Sequence, residues 1–185
     1  ARVGGGRVTG APFPSARVVR LADAKPVQLG HAALADGRWR LLAFSDRSDP
    51  AEPSSRLRPL CAFLESAPLS PTGGYRRPGD DVHAVHDMRA IVQQGHRDLA
   101  LAAMPTFLLP CKGRLGLRDY EKIFCPDPQP GRDIFDLRGI DRERGCMVIV
   151  RPDQYVAQVL PLDDYAALTS YFDRVLAPAH PEQEG

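Results

Sequence analysis

The C-terminal part of the chain constrains the fold most, because two apolar runs and an amphipathic stretch follow one another directly. The runs are CMVIV at Cys146–Val150 and YVAQVL at Tyr155–Leu160, and only Arg151-Pro152-Asp153-Gln154 separates them. Two short apolar runs around a Pro-Asp turn predict an antiparallel hairpin. From Asp163, the expected N-cap, apolar residues then recur at helical spacing until Pro178. We therefore expect a hairpin followed by a helix that covers one face of a sheet.

A further strand is predicted at Arg38–Phe44. It ends in four consecutive apolar residues, as expected of a strand buried on both faces near the centre of a sheet. Asp36-Gly37 precedes it, and Asp-Gly is a favoured two-residue hairpin turn. The pattern thus predicts a hairpin over His31–Phe44, with Trp39, the single tryptophan, expected in the core.

The rest of the chain predicts helices and short strands around this centre. Ser54 and Ser55 can cap a helix with one apolar face, formed by Leu57, Leu60, Cys61 and Leu64. Residues 69–81, rich in proline and glycine, are expected to form a surface loop. Short apolar runs predict strands at His83–Val92, Met104–Leu109 and Ile134–Leu137. This order is typical of an α/β thioredoxin-like fold, a central mixed sheet flanked by helices, although other α/β folds share it.

Composition sets the class of protein and the expected domain limits. The length of 185 residues suits one domain, and 24 basic against 23 acidic residues leave no net field to attract nucleic acid or an anionic membrane. No apolar run approaches the roughly 18–20 residues of a membrane span. The glycine-rich start, and Ala1 in place of methionine, suggest a piece of a longer chain. We expect a linker or flexible arm at 1–16, a domain at 17–177 and a flexible tail at 178–185.

The cysteine pattern lacks the motif of a thioredoxin redox site. Cys61, Cys111, Cys125 and Cys146 are separated by 50, 14 and 21 positions, so no Cys-x-x-Cys pair exists. Cys61 falls inside the predicted helix rather than at its start, where the helix dipole would stabilise a thiolate. Reduced, structural thiols are the expected state.

Three stretches resemble a known family. They are RLADAKPVQLG at Arg20–Gly30 with the hairpin at Asp36–Arg40, PCKGRLGLRDYEKIFC at Pro110–Cys125, and VRPDQYV at Val150–Val156. Together they resemble the C-terminal domain of flavin-dependent aromatic hydroxylases of the phenol hydroxylase and 3-hydroxybenzoate hydroxylase type. The resemblance extends from about Pro14 to Leu176.

The resemblance implies a thioredoxin-like domain without the redox motif, attached to a missing N-terminal region that binds FAD and substrate. It implies FAD and NAD(P)H for the parent enzyme and no cofactor in this chain. It also implies a homodimer to whose subunit contacts this domain contributes, in the cytoplasm.

The candidate sites in the chain are weak, and we predict no catalytic, cofactor-binding or metal residue. Gly4–Gly10 departs from the G-x-G-x-x-G phosphate motif, and prolines follow it where a helix should run. His83 and His86 would point to opposite faces of a strand, so they are not expected to share a metal ion. Pro105 imitates the thioredoxin cis-proline but is expected at the start of a strand, away from the equivalent position at Gly145-Cys146.

Two functions from different classes therefore remain. The first is a non-catalytic thioredoxin-like scaffold and subunit-association domain of a FAD-dependent phenol or hydroxybenzoate hydroxylase. The alternative is a stand-alone thioredoxin- or peroxiredoxin-like redox protein that uses Cys61 or Cys146, for which a thiol pKa well below about 8.5 is required. A binding module for a small ligand or protein is a third possibility without support from a motif.

Overall fold

A computed structural model describes residues 9–32, 36–67, 70–75, 77 and 79–176. In these residues the strands are β1 (Arg17–Arg20), β2 (Pro26–Gln28), β3 (Trp39–Phe44), β4 (His86–Ile91), β5 (Cys111–Lys112), β6 (Leu117–Arg118), β7 (Ile123–Pro126), β8 (Cys146–Val150) and β9 (Val156–Leu160). The helices are α1 (Leu29–Ala32), α2 (Leu57–Ser66), α3 (Pro71–Tyr75), α4 (Ile134–Arg138) and α5 (Tyr165–Val175).

Seven strands form one mixed sheet in the order β2-β1-β7-β4-β3-β8-β9, and β5 pairs with β6 in a separate hairpin. Strands β3, β4 and β7 are parallel, whereas β8 runs antiparallel to β3 and β9 antiparallel to β8. The expected central position of β3 is confirmed, because β4 and β8 occupy its two edges. All but one of its residues are buried, as its apolar run predicted.

Helices cover both faces of this sheet. On one face, α2 and α5 pack through Leu60, Leu64, Leu168 and Phe172 onto alternate strand residues that include Leu41 and Met88. Helices α1 and α4 pack on the other face, with Leu29, Ile134 and Phe135 against Leu42 and Phe44. The expected mixed sheet flanked by helices is confirmed.

The predicted C-terminal elements are present with small shifts at their ends. Strands β8 and β9 form the expected antiparallel hairpin, with an irregularity at Ile149/Val150. Helix α5 begins one residue later than predicted: Asp164, not Asp163, is the N-cap and accepts the Ala167 amide at 3.0 Å. Trp39 packs edge-on against Tyr171 and Phe172 of this helix, at 5.7 and 5.8 Å between ring centroids.

The predicted first arm of the hairpin at His31–Phe44 is wrong. Residues 29–32 form helix α1, and 33–35 lie outside the described residues. Because β4 and β8 take both edges of β3, no edge is left for the expected partner strand. The Asp-Gly sequence instead makes a turn in which the Asp36 carboxylate accepts the Arg38 amide at 3.1 Å.

Two predicted strands are helical. Ile134–Leu137 lies in α4, because Asp133 accepts the Phe135 amide at its start and Gly139, in the left-handed region, ends it. Met104–Leu109 contains a 3-10 turn at Thr106–Leu108, so Pro105 precedes a turn and not a strand.

The first predicted helix and the loop at 69–81 also need correction. Arg56 is the N-cap position of α2, and Ser55 lies one residue before it, with its hydroxyl accepting the Leu57 amide at 3.3 Å. Within 69–81, the short helix α3 starts with Pro71 after Ser70, whose hydroxyl accepts the Gly73 amide.

The N-terminal segment continues the pairing beyond β9. The amides of Gly10 and Phe13 donate to the carbonyls of Val156 and Gln154 at 2.8 and 2.9 Å. Residues 1–8 and 177–185 lie outside the described residues, and these include most of Gly4–Gly10 and the whole of the predicted tail at 178–185.

Candidate functional site

The loop after the central strand β3 is where a thioredoxin-like protein carries its redox pair. Here that loop holds Ser45 and Asp46, both buried, and no cysteine. Asp46 Oδ1 accepts the Arg56 amide at 3.2 Å, just before α2. Gln93 Nε2 donates to the Ser45 and Arg142 carbonyls at 3.0 and 2.7 Å. The side chains of Asp46 and Gln93 therefore hold the backbone of this loop, which in a redox protein would carry the reactive thiols.

The segment opposite this loop ends in Gly145, at the start of β8. Gly145 has φ +63°, and a Cβ there would lie 2.4 Å from the Phe44 carbonyl oxygen. The end of β3 and the start of β8 thus approach too closely for any side chain. The described peptide bonds, Pro105 included, are all trans.

The cysteines are free, and three of the four are buried. Burial, with a contribution from Glu65, raises the pKa of Cys61 far above its usual range. Burial also raises the pKa of Cys146 to about 12. Thiolate chemistry requires a lowered pKa and an accessible sulfur, so the burial of Cys61 and Cys146 argues against the alternative redox function at either residue.

The residues described here do not fit a flavin. A dinucleotide site places the pyrophosphate on free amides at a helix N-terminus that follows a strand and a glycine-rich turn. The matching connection, from β3 to α2, contains no glycine. Its Arg56 amide is already bonded to the Asp46 carboxylate, which would repel a phosphate.

His83 and His86 are both fully buried. The His86 Nε2 lies 3.2 Å from Thr72 Oγ1, and the His83 ring packs 4.9 Å from Phe107 between centroids. Burial, reinforced by the neighbouring His83, lowers the pKa of His86 to about 3, and burial also lowers the pKa of His83. In the described residues, no three His, Cys, Asp or Glu side chains gather as metal ligands.

A buried ion cluster at the end of the sheet where β3, β4 and β7 begin was not predicted. We define it as Arg40, Asp87, Arg89 and Lys122, each at most 7% exposed. Asp87 Oδ2 accepts Arg89 Nε at 3.0 Å and lies 3.6 Å from Arg40 Nε, while Asp87 Oδ1 accepts Lys122 Nζ. His83 Nδ1 lies 3.5 Å from the same oxygen.

The electrostatics of the buried ion cluster favour a stable ion pair rather than an acid or base. Burial alone would raise the pKa of Asp87, but the facing His83 and the charges of Arg89 and Lys122 hold it well below its usual range. Burial lowers the pKa of Lys122 to about 8, although the Asp87 carboxylate opposes this shift. Asp87 is therefore charged at neutral pH and closed off by cations, without an open side for a substrate.

The buried ion cluster continues to an exposed hairpin, β5–β6. Asp119, 3.3 Å from Lys122 Nζ, also pairs with Lys112 Nζ at 2.5 Å. The hairpin then displays Leu115 and Leu117, which are 79% and 68% exposed. The sequence signal was present in GRLGLR at 113–118, where leucines stand in a glycine-bounded turn, but a turn alone does not reveal what covers them.

Comparisons with known proteins identify the family. The family model described as "Phenol hydroxylase, C-terminal dimerisation domain" matches residues 3–180. The chain belongs to this family. It is 55% identical over 169 residues to a 3-hydroxybenzoate 4-monooxygenase from Comamonas testosteroni. The aligned segment covers 91% of this chain and 26% of that protein.

A more distant relative of this dimerisation domain is the FAD-dependent monooxygenase terD of Aspergillus terreus. It is 32% identical over 170 residues, 90% of this chain and 28% of that protein. The chain thus spans about a quarter of the length of the curated relatives it matches.

Solved structures confirm the thioredoxin-like fold of the domain. The thioredoxin domain of a thiol-disulfide oxidoreductase from Bacteroides vulgatus superposes with a TM-score of 0.55 at 11% identity, over 91% of this chain and 98% of that one. Peroxidoxin BcpB from Mycobacterium tuberculosis superposes with a TM-score of 0.51 at 12% identity, over 91% of this chain and 97% of that one. At such identities the likeness concerns the fold alone. Within the described residues, no helix is long and apolar enough to cross a membrane.

Proposed function

We propose that this chain is the subunit-association domain of a FAD-dependent aromatic-ring monooxygenase that works as a homodimer. The observation that carries the proposal is the 55% identity to 3-hydroxybenzoate 4-monooxygenase, together with the match of residues 3–180 to the dimerisation-domain family. Residues 17–177 form the domain in this proposal, and the FAD- and substrate-binding region belongs to the rest of the protein.

The parent reaction is the insertion of one atom of dioxygen into a phenol or hydroxybenzoate. NAD(P)H supplies two electrons through the flavin, and the second oxygen atom leaves as water. A hydroxybenzoate is favoured over phenol as substrate, because the relative named for it shares 55% identity with this chain. Four free cysteines suit the reducing cytoplasm.

No residue of this chain takes part in that reaction, in this proposal. In the loop after β3, the Asp46 carboxylate already accepts the Arg56 amide. Burial keeps the Cys146 thiol protonated by raising its pKa. In the buried ion cluster, Arg89 and Lys122 occupy the Asp87 carboxylate. The domain needs neither nucleic acid nor a membrane.

The full-length protein tests this function. We expect it to be yellow, to carry about one FAD per subunit, to sediment as a dimer, and to oxidise NAD(P)H faster with 3-hydroxybenzoate than with phenol. A colourless protein, or one without hydroxylated product from either compound, would contradict the assignment to this class of enzyme.

We also predict that the four cysteines are dispensable for hydroxylation. Replacing all four by alanine, or by serine, removes small buried groups and costs on the order of 1 kcal/mol of stability at each buried position. Turnover per folded, flavin-loaded subunit should stay within about twofold of the parent value. Restoration of lost turnover by one particular cysteine would instead support the redox alternative.

A further inference from the structure

The β5–β6 hairpin presents apolar side chains in a rigid setting. Of the six large hydrophobic side chains exposed in the described part of the chain, Leu115, Leu117 and Tyr120 lie within six residues of one another. The base is held by the Lys112–Asp119 pair at 2.5 Å and by the Gly113 amide, which donates to the Asp81 carboxylate at 3.1 Å. A loop fixed in this way loses little conformational entropy when it binds.

An acidic groove lies beside the hairpin. We define it by its lining carboxylates Glu65, Asp80 and Asp81 and its apolar residues Val82, Phe107 and Leu109, with Arg118 of the same chain also in the lining. Its volume is about 400 Å³, enough for a pair of leucine side chains at the packing density of a protein interior. A groove lined by both carboxylates and apolar side chains would accept apolar side chains that basic ones flank.

The tip of the hairpin has this chemistry. Its leucines stand between Arg114 and Arg118, so two cations flank the apolar tip. The hairpin does not fill the groove of its own chain, because Leu115 and Leu117 remain largely exposed while Cys111 and Arg118 line the edge of that groove. Neither leucine lines the groove of its own chain, so both the tip and the groove present surface to other molecules.

Two-fold symmetry makes the match reciprocal. In a two-fold dimer, a contact between the hairpin of one copy and the groove of the other is repeated with the roles exchanged. A stable interface buries about 800 Å² per partner, more than one hairpin tip supplies. Because hairpin and groove are adjacent, each copy contributes both to one continuous patch.

We propose that the β5–β6 hairpin of one subunit inserts Leu115 and Leu117 into the acidic groove of a second copy, with Arg114 and Arg118 facing Glu65 and Asp80. This inference rests on the proposed function as a dimerisation domain and assigns its surface. The occupant of the groove is a second copy of this chain.

A charge-reversal pair in the full-length protein tests the surface. One variant, Arg114→Glu/Arg118→Glu, places acids on the hairpin, and another, Glu65→Lys/Asp80→Lys, places bases on the groove. Each alone sets like charges against each other in both contacts, and should raise the dimer dissociation constant at least about tenfold. In an equimolar mixture, the heterodimer has opposite charges in both contacts, so its affinity should return to near the unmodified value.

Sedimentation equilibrium over a range of concentrations measures this, and near-ultraviolet circular dichroism checks that each variant is folded. The control Arg132→Glu/Arg144→Glu makes the same charge change at exposed positions elsewhere and should leave the dimer intact. Variants that dimerise normally alone, or a mixture that does not recover, would overturn the assigned surface. An unmodified protein that is monomeric throughout would contradict the proposed function itself.

Discussion

Asp87 is the residue on which the polar interior of this domain depends. It is fully buried, and its two oxygens serve Lys122 and Arg89, with Arg40 beside them. Three buried cations around one buried carboxylate are tolerable only while that carboxylate is charged, since an unpaired buried charge has a large desolvation cost. The sequence predicted none of this, because a charged residue in a strand usually faces solvent and only the assembled sheet shows that Asp87 does not.

We predict that Asp87→Asn lowers the free energy of unfolding by about 3–5 kcal/mol. The loss arises because Arg89 remains buried without its carboxylate partner, while Lys122 keeps only Asp119, at 3.3 Å. Replacing Asp87 and Lys122 together, by leucine and methionine, should cost less than Asp87→Asn alone. Urea unfolding of the 185-residue chain measures these differences.

The matched control is the exposed pair Arg47–Glu143, whose atoms lie 2.7 Å apart. Removing Glu143 should change stability by less than about 1 kcal/mol, since exposed pairs contribute little. Equal losses at Asp87 and Glu143 would show that the buried ion cluster has no special role.

The buried His86 predicts how stability depends on pH. Its folded pKa of about 3 lies below the ordinary histidine pKa of about 6.5, so the unfolded chain binds more protons between these two values. Stability should therefore fall as pH falls below about 6.5, and this group should account for on the order of 2 kcal/mol between pH 6.5 and 5. Asp87 adds a loss in the same direction only at lower pH, where an unfolded carboxylate begins to protonate.

Unfolding curves of His86→Gln at these two pH values test this origin. The dependence should become shallower in that variant, whereas His31→Gln, at an exposed position, should keep the slope of the parent chain. An unchanged slope in His86→Gln would assign the effect to other groups.

At the scale of elements, the sequence predicted those with a long or strongly periodic pattern. Each of these elements has four or more buried positions or an apolar helical stripe, so its local sequence alone is enough to predict it. They are the β8–β9 hairpin, β3, α2 and α5. Ile134–Leu137 is too short for its apolar run to separate strand from helix, and the caps at Asp133 and Gly139 decide for helix. Strand β1 buries only Val18 and Val19, and its pairing with β2 and β7 depends on residues distant in sequence.

The close approach of β3 and β8 gives a prediction at this scale. Gly145→Ala combines a left-handed backbone with a Cβ 2.4 Å from the Phe44 carbonyl oxygen, so we expect a loss of about 3 kcal/mol. Gly116→Ala has nearly the same φ, +61°, with nothing within 4 Å of the added Cβ, and should cost only about 1 kcal/mol. Thermal unfolding of the two variants separates steric contact from conformation, and equal losses would contradict the role assigned to the contact.

At the scale of the whole molecule, a thioredoxin-like layer is retained while its redox position is filled. Ser45, Asp46 and Gly145 occupy the region where thiols would act, and the exposed apolar side chains of β5–β6 lie on a hairpin outside the main sheet. The class of fold followed from the order of elements and from the family resemblance. The buried ion cluster and the acidic groove could not be predicted, because each is assembled from three or more segments that meet only in the folded chain.

The molar mass of the full-length protein, with and without this domain, tests the central claim most directly. Sedimentation equilibrium should give a dimer for the intact protein. The same protein with the chain removed from Pro14 onward should be a monomer that still binds FAD, which shows that the remaining region is folded. A truncated, flavin-loaded protein that dimerises as tightly as the intact one would contradict a role for this domain in subunit association.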